Sequence, residues 1–280
     1  MMDKDNFERI LDVQHSFGPS GKSLTNPGRV LVGEGRLMKL CRHRPKARVF
    51  FLFNDLLVYG SIILNGRWNK KQKIIPLEDI ELEDLEDGLN MKNQWLIKTP
   101  RKSFFVSATS SEEKRAWMEH IEDCRTKWLQ KAGRKPSNAF AITWIPDRAS
   151  AICMRCFGKF TITHRRHHCR SCGFIVCNPC SKARAVLPHI SSKPVRICKR
   201  CTLSLRDQGV EGQLRPRGDS DGTDCGSDVD DQRAPEYEPS SDEEEERMED
   251  RASSNWVVSQ LHSTSTYVFL NPDHERPAMM

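Results

Sequence analysis

Eight of the eleven cysteines fall into four Cys-x-x-Cys pairs: Cys153 with Cys156, Cys169 with Cys172, Cys177 with Cys180, and Cys198 with Cys201. A two-residue gap lets both thiolates of a pair reach one tetrahedral ion, and two pairs complete its shell. Eight thiolates therefore make two closed Zn2+ sites. A closed site leaves no position for a reacting water, so the pattern points to structural zinc (two ions) and away from zinc catalysis. Redox use or a disulfide framework explains four repeated pairs poorly in a chain that opens MMDKDNFERILDVQ, without a basic-then-apolar secretory start; a reducing, cytoplasmic setting is expected. Spacing alone leaves open which pairs share an ion. Cys41, Cys124 and Cys225 stand outside the array.

The second pair is embedded in HRRHHCRSCG (164–173), six cationic or titratable side chains and two thiols in ten residues. Such crowding repels itself unless an anion offsets it. The net charge of +6 conceals a larger asymmetry. Twelve Lys or Arg face a single acid, Asp147, between Trp144 and Leu205, whereas fifteen Asp or Glu face two Arg between Asp219 and Asp250. The chain is a basic body with an acidic tail. Nucleic acid is not the expected anion: sequence-reading fingers lay a helix in a groove, and no long basic helix occurs here. A RING-like ubiquitin ligase or a protein-binding zinc scaffold is the alternative reading. In a RING a His normally replaces one Cys ligand, whereas here all eight positions are Cys. No GxxxxGK[ST], HExxH or GxSxG is present, so an adaptor rather than an enzyme is expected.

The elements that must hold these residues follow from hydrophobic patterning. Residues 1–29 carry one short helical segment, with Phe7, Ile10, Leu11 and Gln14 read as one face, broken by Pro19, Gly21, Pro27 and Gly28. From Val30 the pattern turns to strands: GRLMKL (35–40), ARVFFLF (47–53), LLVYGSIIL (56–64), a strand within KIIPLEDIELEDL (73–85), NQWLIKT (93–99) and SFFVSA (103–108). Asn54-Asp55, Asn65-Gly66 and Pro100-Arg101-Lys102 mark turns. Ser110 and Glu113 have capping-box spacing, and Trp117, Ile121, Cys124 and Trp128 form one apolar stripe on the helix that follows, stopped by Gly133 and Pro136. Residues 132–143 read as a linker, 144–206 as the cysteine-rich unit, and 207–280 as a disordered acidic tail interrupted by Trp256-Val257-Val258 and Tyr267-Val268-Phe269-Leu270. No run of about 18 apolar residues exists to span a bilayer.

Antiparallel strands closed by one C-terminal helix over 30–131 resemble a pleckstrin homology domain. The cysteine unit resembles a FYVE finger: WIPD (144–147) stands for its WxxD motif, RRHHCRSCG (165–173) for R(R/K)HHCRxCG, and RIC (196–198) for RVC with Ile in place of Val. The two in this order, with PGRVLVGEG, FFLFNDLLVYG and KPVRIC, resemble the phafin family. The implied fold class is α+β and multidomain: an antiparallel β-barrel or sandwich capped by a helix, then a small two-zinc cross-brace finger.

The resemblance implies that Cys153, Cys156, Cys177 and Cys180 hold one zinc and Cys169, Cys172, Cys198 and Cys201 the other. It implies binding of phosphatidylinositol 3-phosphate in endosomal membranes. Arg170 and Arg196 would grip the 3-phosphate, and Arg165 and Arg166 would face the 1-phosphate. His168 and Asp147 would bond inositol hydroxyls, with His167 and Trp144 supporting the pocket. Guanidinium forks suit a phosphomonoester with nearly two charges. Ile162 and Thr163 would enter the bilayer. In the first domain Lys39, Lys46 and Arg48 fit K-x(n)-K/R-x-R, so other phosphoinositides are expected partners there, with Arg42 and Arg44 adding charge. The family implies a peripheral protein of early endosomes and lysosomes. It would recruit protein partners, which the sequence does not name, in endosome organisation, endosome-to-lysosome traffic and autophagy, with lysosome-linked apoptosis. The tail stretch SSDEEEE is read either as solvating or as a competitor for the lipid pocket.

Overall fold

The structure is a computed structural model, and it describes residues 4–41, 44–63, 68–87, 92–208, 214–215 and 267–270. Asn65-Gly66, Arg42 and most of the acidic tail, including Trp256-Val257-Val258, therefore lie outside the described residues.

Seven antiparallel strands build the first domain: β1 (Leu31–Leu40), β2 (Pro45–Phe53), β3 (Leu56–Ile63), β4 (Trp68–Pro76), β5 (Glu81–Asp84), β6 (Gln94–Lys98) and β7 (Phe104–Ser107), in the spatial order β4-β3-β2-β1-β7-β6-β5. The helix α2 (Ser111–Ala132) covers one face. Its start follows the capping-box spacing expected from sequence: Ser110 Oγ accepts from the Glu113 amide at 3.2 Å, while the Glu113 carboxylate reaches one residue beyond the cap and accepts from the Thr109 amide at 2.9 Å. Trp117, Ile121 and Cys124 point into the core with Phe50, Leu52, Trp95 and Ile97.

β2 and β3 read as unbroken apolar runs because both of their faces are covered. Phe50 and Leu52 face α2, whereas Phe51, Phe53, Leu56 and Val58 pack under α1 (Lys4–Ser16) and the chain after it. The buried stripe of α1 is Ile10 and Val13, continued by Phe17. This departs from the face expected from sequence, since Phe7 is left exposed and Leu11 half-buried. The reason is register: period 3.6 lets either stripe form, and the outer surface of β2 selects the one that reaches Phe51. Arg29 ties this layer down. Its Nε donates to both Asp55 carboxylate oxygens at 2.8 and 3.0 Å, and its Nη2 donates to Oδ2 at 2.6 Å.

The segment 73–85 holds the end of one strand and the start of another. Pro76 lacks a ladder donor, so β4 ends there, a 3-10 turn spans Leu77–Asp79, and β5 begins at Glu81. The expected linker is not a free tether. The Ser137 amide donates to the Glu78 carbonyl and the Ala141 amide to the Thr99 carbonyl, each at 2.9 Å, which lays 137–143 along the first domain.

The cysteine-rich unit consists of two short hairpins, β8 (His167–His168) with β9 (Ile175–Val176) and β10 (Arg184–Leu187) with β11 (Ser191–Arg196), followed by α3 (Lys199–Asp207). Two pieces of the expected tail are ordered strands. β12 (Leu214–Arg215) joins β10, and β13 (Val268–Phe269) joins β1.

Candidate functional site

The cysteines gather into two groups, and within each the four sulfurs lie within 4.8 Å of one another: Cys153, Cys156, Cys177 and Cys180, and Cys169, Cys172, Cys198 and Cys201. The pairs interleave, so each group ties two separate stretches of chain together. Backbone amides brace the sulfurs, from Cys177 to Cys153 Sγ at 3.3 Å and from Cys198 to Cys169 Sγ at 3.2 Å. Arg155, unnoticed in the sequence, donates to Cys198 Sγ and Cys172 Sγ, each at 3.3 Å, while its guanidinium lies 4.4 Å from the centre of the Phe174 ring. The Arg155 guanidinium beside them favours the thiolate form at Cys198 and Cys172. Two quartets of clustered, amide-braced thiols fit two zinc ions. The surrounding core is largely the cysteines themselves with Val176, Ala185, Leu187 and Ile197. Bound zinc, worth roughly 10–16 kcal/mol in small structural sites, supplies the cohesion that so little apolar surface lacks.

The basic motifs converge on one ring. Trp144 stacks on His168, ring centroids 5.0 Å apart, and the Arg170 guanidinium lies 3.8 Å from the centre of the same indole. His168 donates from Nε2 to the Ile145 carbonyl at 2.7 Å, and Asp147 Oδ1 stands 3.6 Å away. Gly173, at φ 71°, makes this approach possible, because a Cβ there would lie 2.4 Å from the Thr143 carbonyl oxygen. Arg170 and Arg196 are brought side by side by the bond from the Arg170 amide to the Arg196 carbonyl at 2.8 Å. The Arg196 side chain is held by Asn178 Oδ1 at 3.0 Å and the Ser181 carbonyl at 2.9 Å. Arg184, not singled out in the sequence, pairs opposite Arg196. Arg166 lies over Phe160 at 4.9 Å, Arg165 is exposed, and His167 sits half-buried opposite Val176. Ile162 is 89% exposed and Thr163 is exposed beside it.

In the first domain Lys39 and Lys46 face each other across β1 and β2, and Arg48 lies two residues on. Like charges opposed in a sheet repel. Lys39 and Arg48 are nevertheless buried, with Lys39 Nζ 4.6 Å from the Phe104 ring centre. Lys71 joins them with φ 56°, at a register shift in the β3–β4 ladder. Lys39, Arg48 and Lys71 line a cleft whose other wall comes from the second domain: Trp144, Ile145, Pro146 and His168. Lys102, which sequence reading assigned to a turn, crosses the boundary with Nζ 4.9 Å from the Trp144 ring centre. Lys39 and Arg48 of the first basic set thus face the same cleft as His168 of the second. Lys71, Lys73 and Lys102 carry no motif that would have marked them.

Comparison with known proteins agrees with this geometry. A PH domain model matches residues 31–126 and a FYVE zinc finger model matches 143–207. The chain is thus a two-domain phosphoinositide-binding adaptor. It is 55% identical over 197 residues, 70% of its own length and 79% of the relative's, to human Pleckstrin homology domain-containing family F member 2. It is 51% identical over 214 residues to human member 1, covering 76% of this chain and 77% of that one. The solution structure of the LM5-1 FYVE domain from Leishmania major is 43% identical, with 23% of this chain and 77% of that one covered at a TM-score of 0.22. The chain belongs to the pleckstrin homology domain-containing family F, the phafin family. Among the described residues no helix is long and apolar enough to cross a membrane.

Proposed function

We propose that the protein binds phosphatidylinositol 3-phosphate on endosomal membranes and recruits other proteins there. The observation that carries this reading is the convergence of WIPD, RRHHCRSCG and RIC: Trp144 holds His168 and Arg170, and Arg170 is bonded through its amide to Arg196. Arg170 and Arg196 take the 3-phosphate. Arg165 and Arg166 face the 1-phosphate, and His168 and Asp147 read ring hydroxyls, with His167 as support. A rigid frame lowers the ordering cost of closing these groups on a headgroup. Ile162 and Thr163, exposed beside the motif, enter the bilayer. Lys39, Lys46 and Arg48 add a second contact to the same membrane, to this lipid or to another phosphoinositide. The recruited work is endosome organisation, endosome-to-lysosome traffic and autophagy, with lysosome-linked apoptosis, at early endosomes and lysosomes.

The test is sedimentation with vesicles carrying one phosphoinositide at a time, at physiological salt, comparing wild type with Arg170→Ala. Capture selective for phosphatidylinositol 3-phosphate and lost in the variant is expected. Capture that ignores phosphate position or survives the substitution overturns the headgroup assignment.

A further inference from the structure

Tyr267 to Leu270 return from far along the chain to the edge of the first domain. β7 pairs only with Met38 and Lys39 of β1, so the first half of β1 offers an edge on that side. β13 takes it, with Gly33 opposite Phe269 and Glu34 opposite Val268, and the Leu270 amide donates to the Val32 carbonyl at 2.7 Å. The side chains alternate as a strand requires. Tyr267 packs on Trp117, ring centroids 4.2 Å apart, and its hydroxyl lies 2.6 Å from His120 Nδ1. Phe269 stacks on His120 at 3.7 Å with planes 13° apart. Leu270 joins the apolar layer under α1, and Val268 points outward, half exposed. The groove is shaped for this tyrosine: a Cβ on Gly33 would lie 2.7 Å from its hydroxyl oxygen and 2.8 Å from Cε2.

We propose that the groove between β1 and α2 is a strand-addition site for an extended peptide of the form Tyr-x-Phe-Leu with an unmodified tyrosine, and that the chain's own Tyr267–Leu270 is its resident occupant in cis. Main-chain pairing supplies affinity, and the packing of Tyr267 on Trp117 with the stacking of Phe269, 43% exposed, on His120 supplies selectivity. The tyrosine hydroxyl ends between His120 and the bare backbone of Gly33. A phosphate there adds nearly two charges and three oxygens where a ring and a backbone already stand. Phosphorylated Tyr267 is therefore rejected and the strand leaves the groove. Tethering protects the occupant, since effective concentrations within one chain reach the millimolar range.

The test uses the full chain with Tyr267→Ala and Phe269→Ala, which vacates the groove, and a fluorescent peptide spanning 263–273. Anisotropy is expected to show saturable binding to this variant, at least ~100-fold weaker binding to wild type, and loss of binding when the peptide carries phosphotyrosine or when Gly33→Val is added. Absent binding to the vacated variant, or equal binding to wild type, overturns the proposal. Amide hydrogen exchange on the wild-type chain needs no variant. Slow exchange at Leu270, independent of protein concentration, is expected. Exchange at the rate of an unstructured peptide overturns the site, and protection that grows with concentration places the strand on a second copy and overturns the cis assignment.

Discussion

Trp144 and His168 stack with planes 11° apart, which joins the segment leading into the finger to the centre of its basic motif. The indole also carries Arg170 against it and Lys102 of the first domain at its other approach. One aromatic ring thus fixes two residues proposed to read a headgroup and couples both domains to the same cleft.

Replacing Trp144 by Ala removes that platform. Cation–ring contacts contribute about 0.5–2 kcal/mol each, so losing the one to Arg170 is expected to lower affinity for the soluble headgroup roughly 2- to 30-fold by titration calorimetry. The metal quartets do not involve the ring, and zinc content should stay unchanged. Affinity within twofold of wild type would remove Trp144 from the pocket.

Chelation should act on one domain only. With metal removed, amide exchange over 153–201 is expected to approach that of an unfolded chain, while 31–126 keeps its protection, because the first domain has its own apolar core. Cys169→Ser should reproduce much of the effect, since its sulfur belongs to a closed quartet. Equal loss of protection in both domains would show that the finger also supports the first.

The Arg29–Asp55 pair is a fork with both side chains 10% exposed. Removing one partner leaves a mostly buried charge, so Arg29→Ala should lower the stability of the first domain by about 3 kcal/mol in urea unfolding. Replacing both residues by apolar ones of similar size should cost less. A single-variant loss below about 0.5 kcal/mol would make the pair a surface contact in energy.

Glu78 links α2, the following segment and the turn after β4. Burial pushes its carboxyl up, but hydrogen bonds from Trp128 Nε1 at 2.7 Å and from Arg134 outweigh this and hold it below its ordinary value. A depressed carboxylate contributes stability that is full above its unfolded pKa of about 4.3 and is lost as pH falls through the folded value. Melting temperature should therefore drop below about pH 4.3, and Glu78→Gln should reduce that drop while lowering stability at pH 7. An unchanged acid profile in the variant would assign the acid sensitivity to other groups.

The amino-acid sequence alone carried the local information. Four Cys-x-x-Cys pairs announced two closed metal sites, because thiolate count and spacing are chemical facts independent of fold. RRHHCRSCG announced an anion, since so much charge needs an offset. Apolar runs separated by turn residues and the Ser110–Glu113 spacing marked the sheet and its closing helix. What contact across the chain decides was not legible there. Spacing left the cysteine pairing open, and the geometry that interleaves it is set by hairpins β8–β9 and β10–β11. The stripe of α1 that is buried depends on the outer surface of β2. The shared cleft exists because residues 137–143 lie along the first domain, through backbone bonds that any side chains permit. From sequence, Tyr267–Leu270 reads either as chance hydrophobicity in an acidic tail or as a short docking motif; its place is decided only where the edge of β1, the bare backbone at Gly33 and the ring of His120 meet it. In each case the deciding partner is distant in sequence, and only the folded chain brings it close.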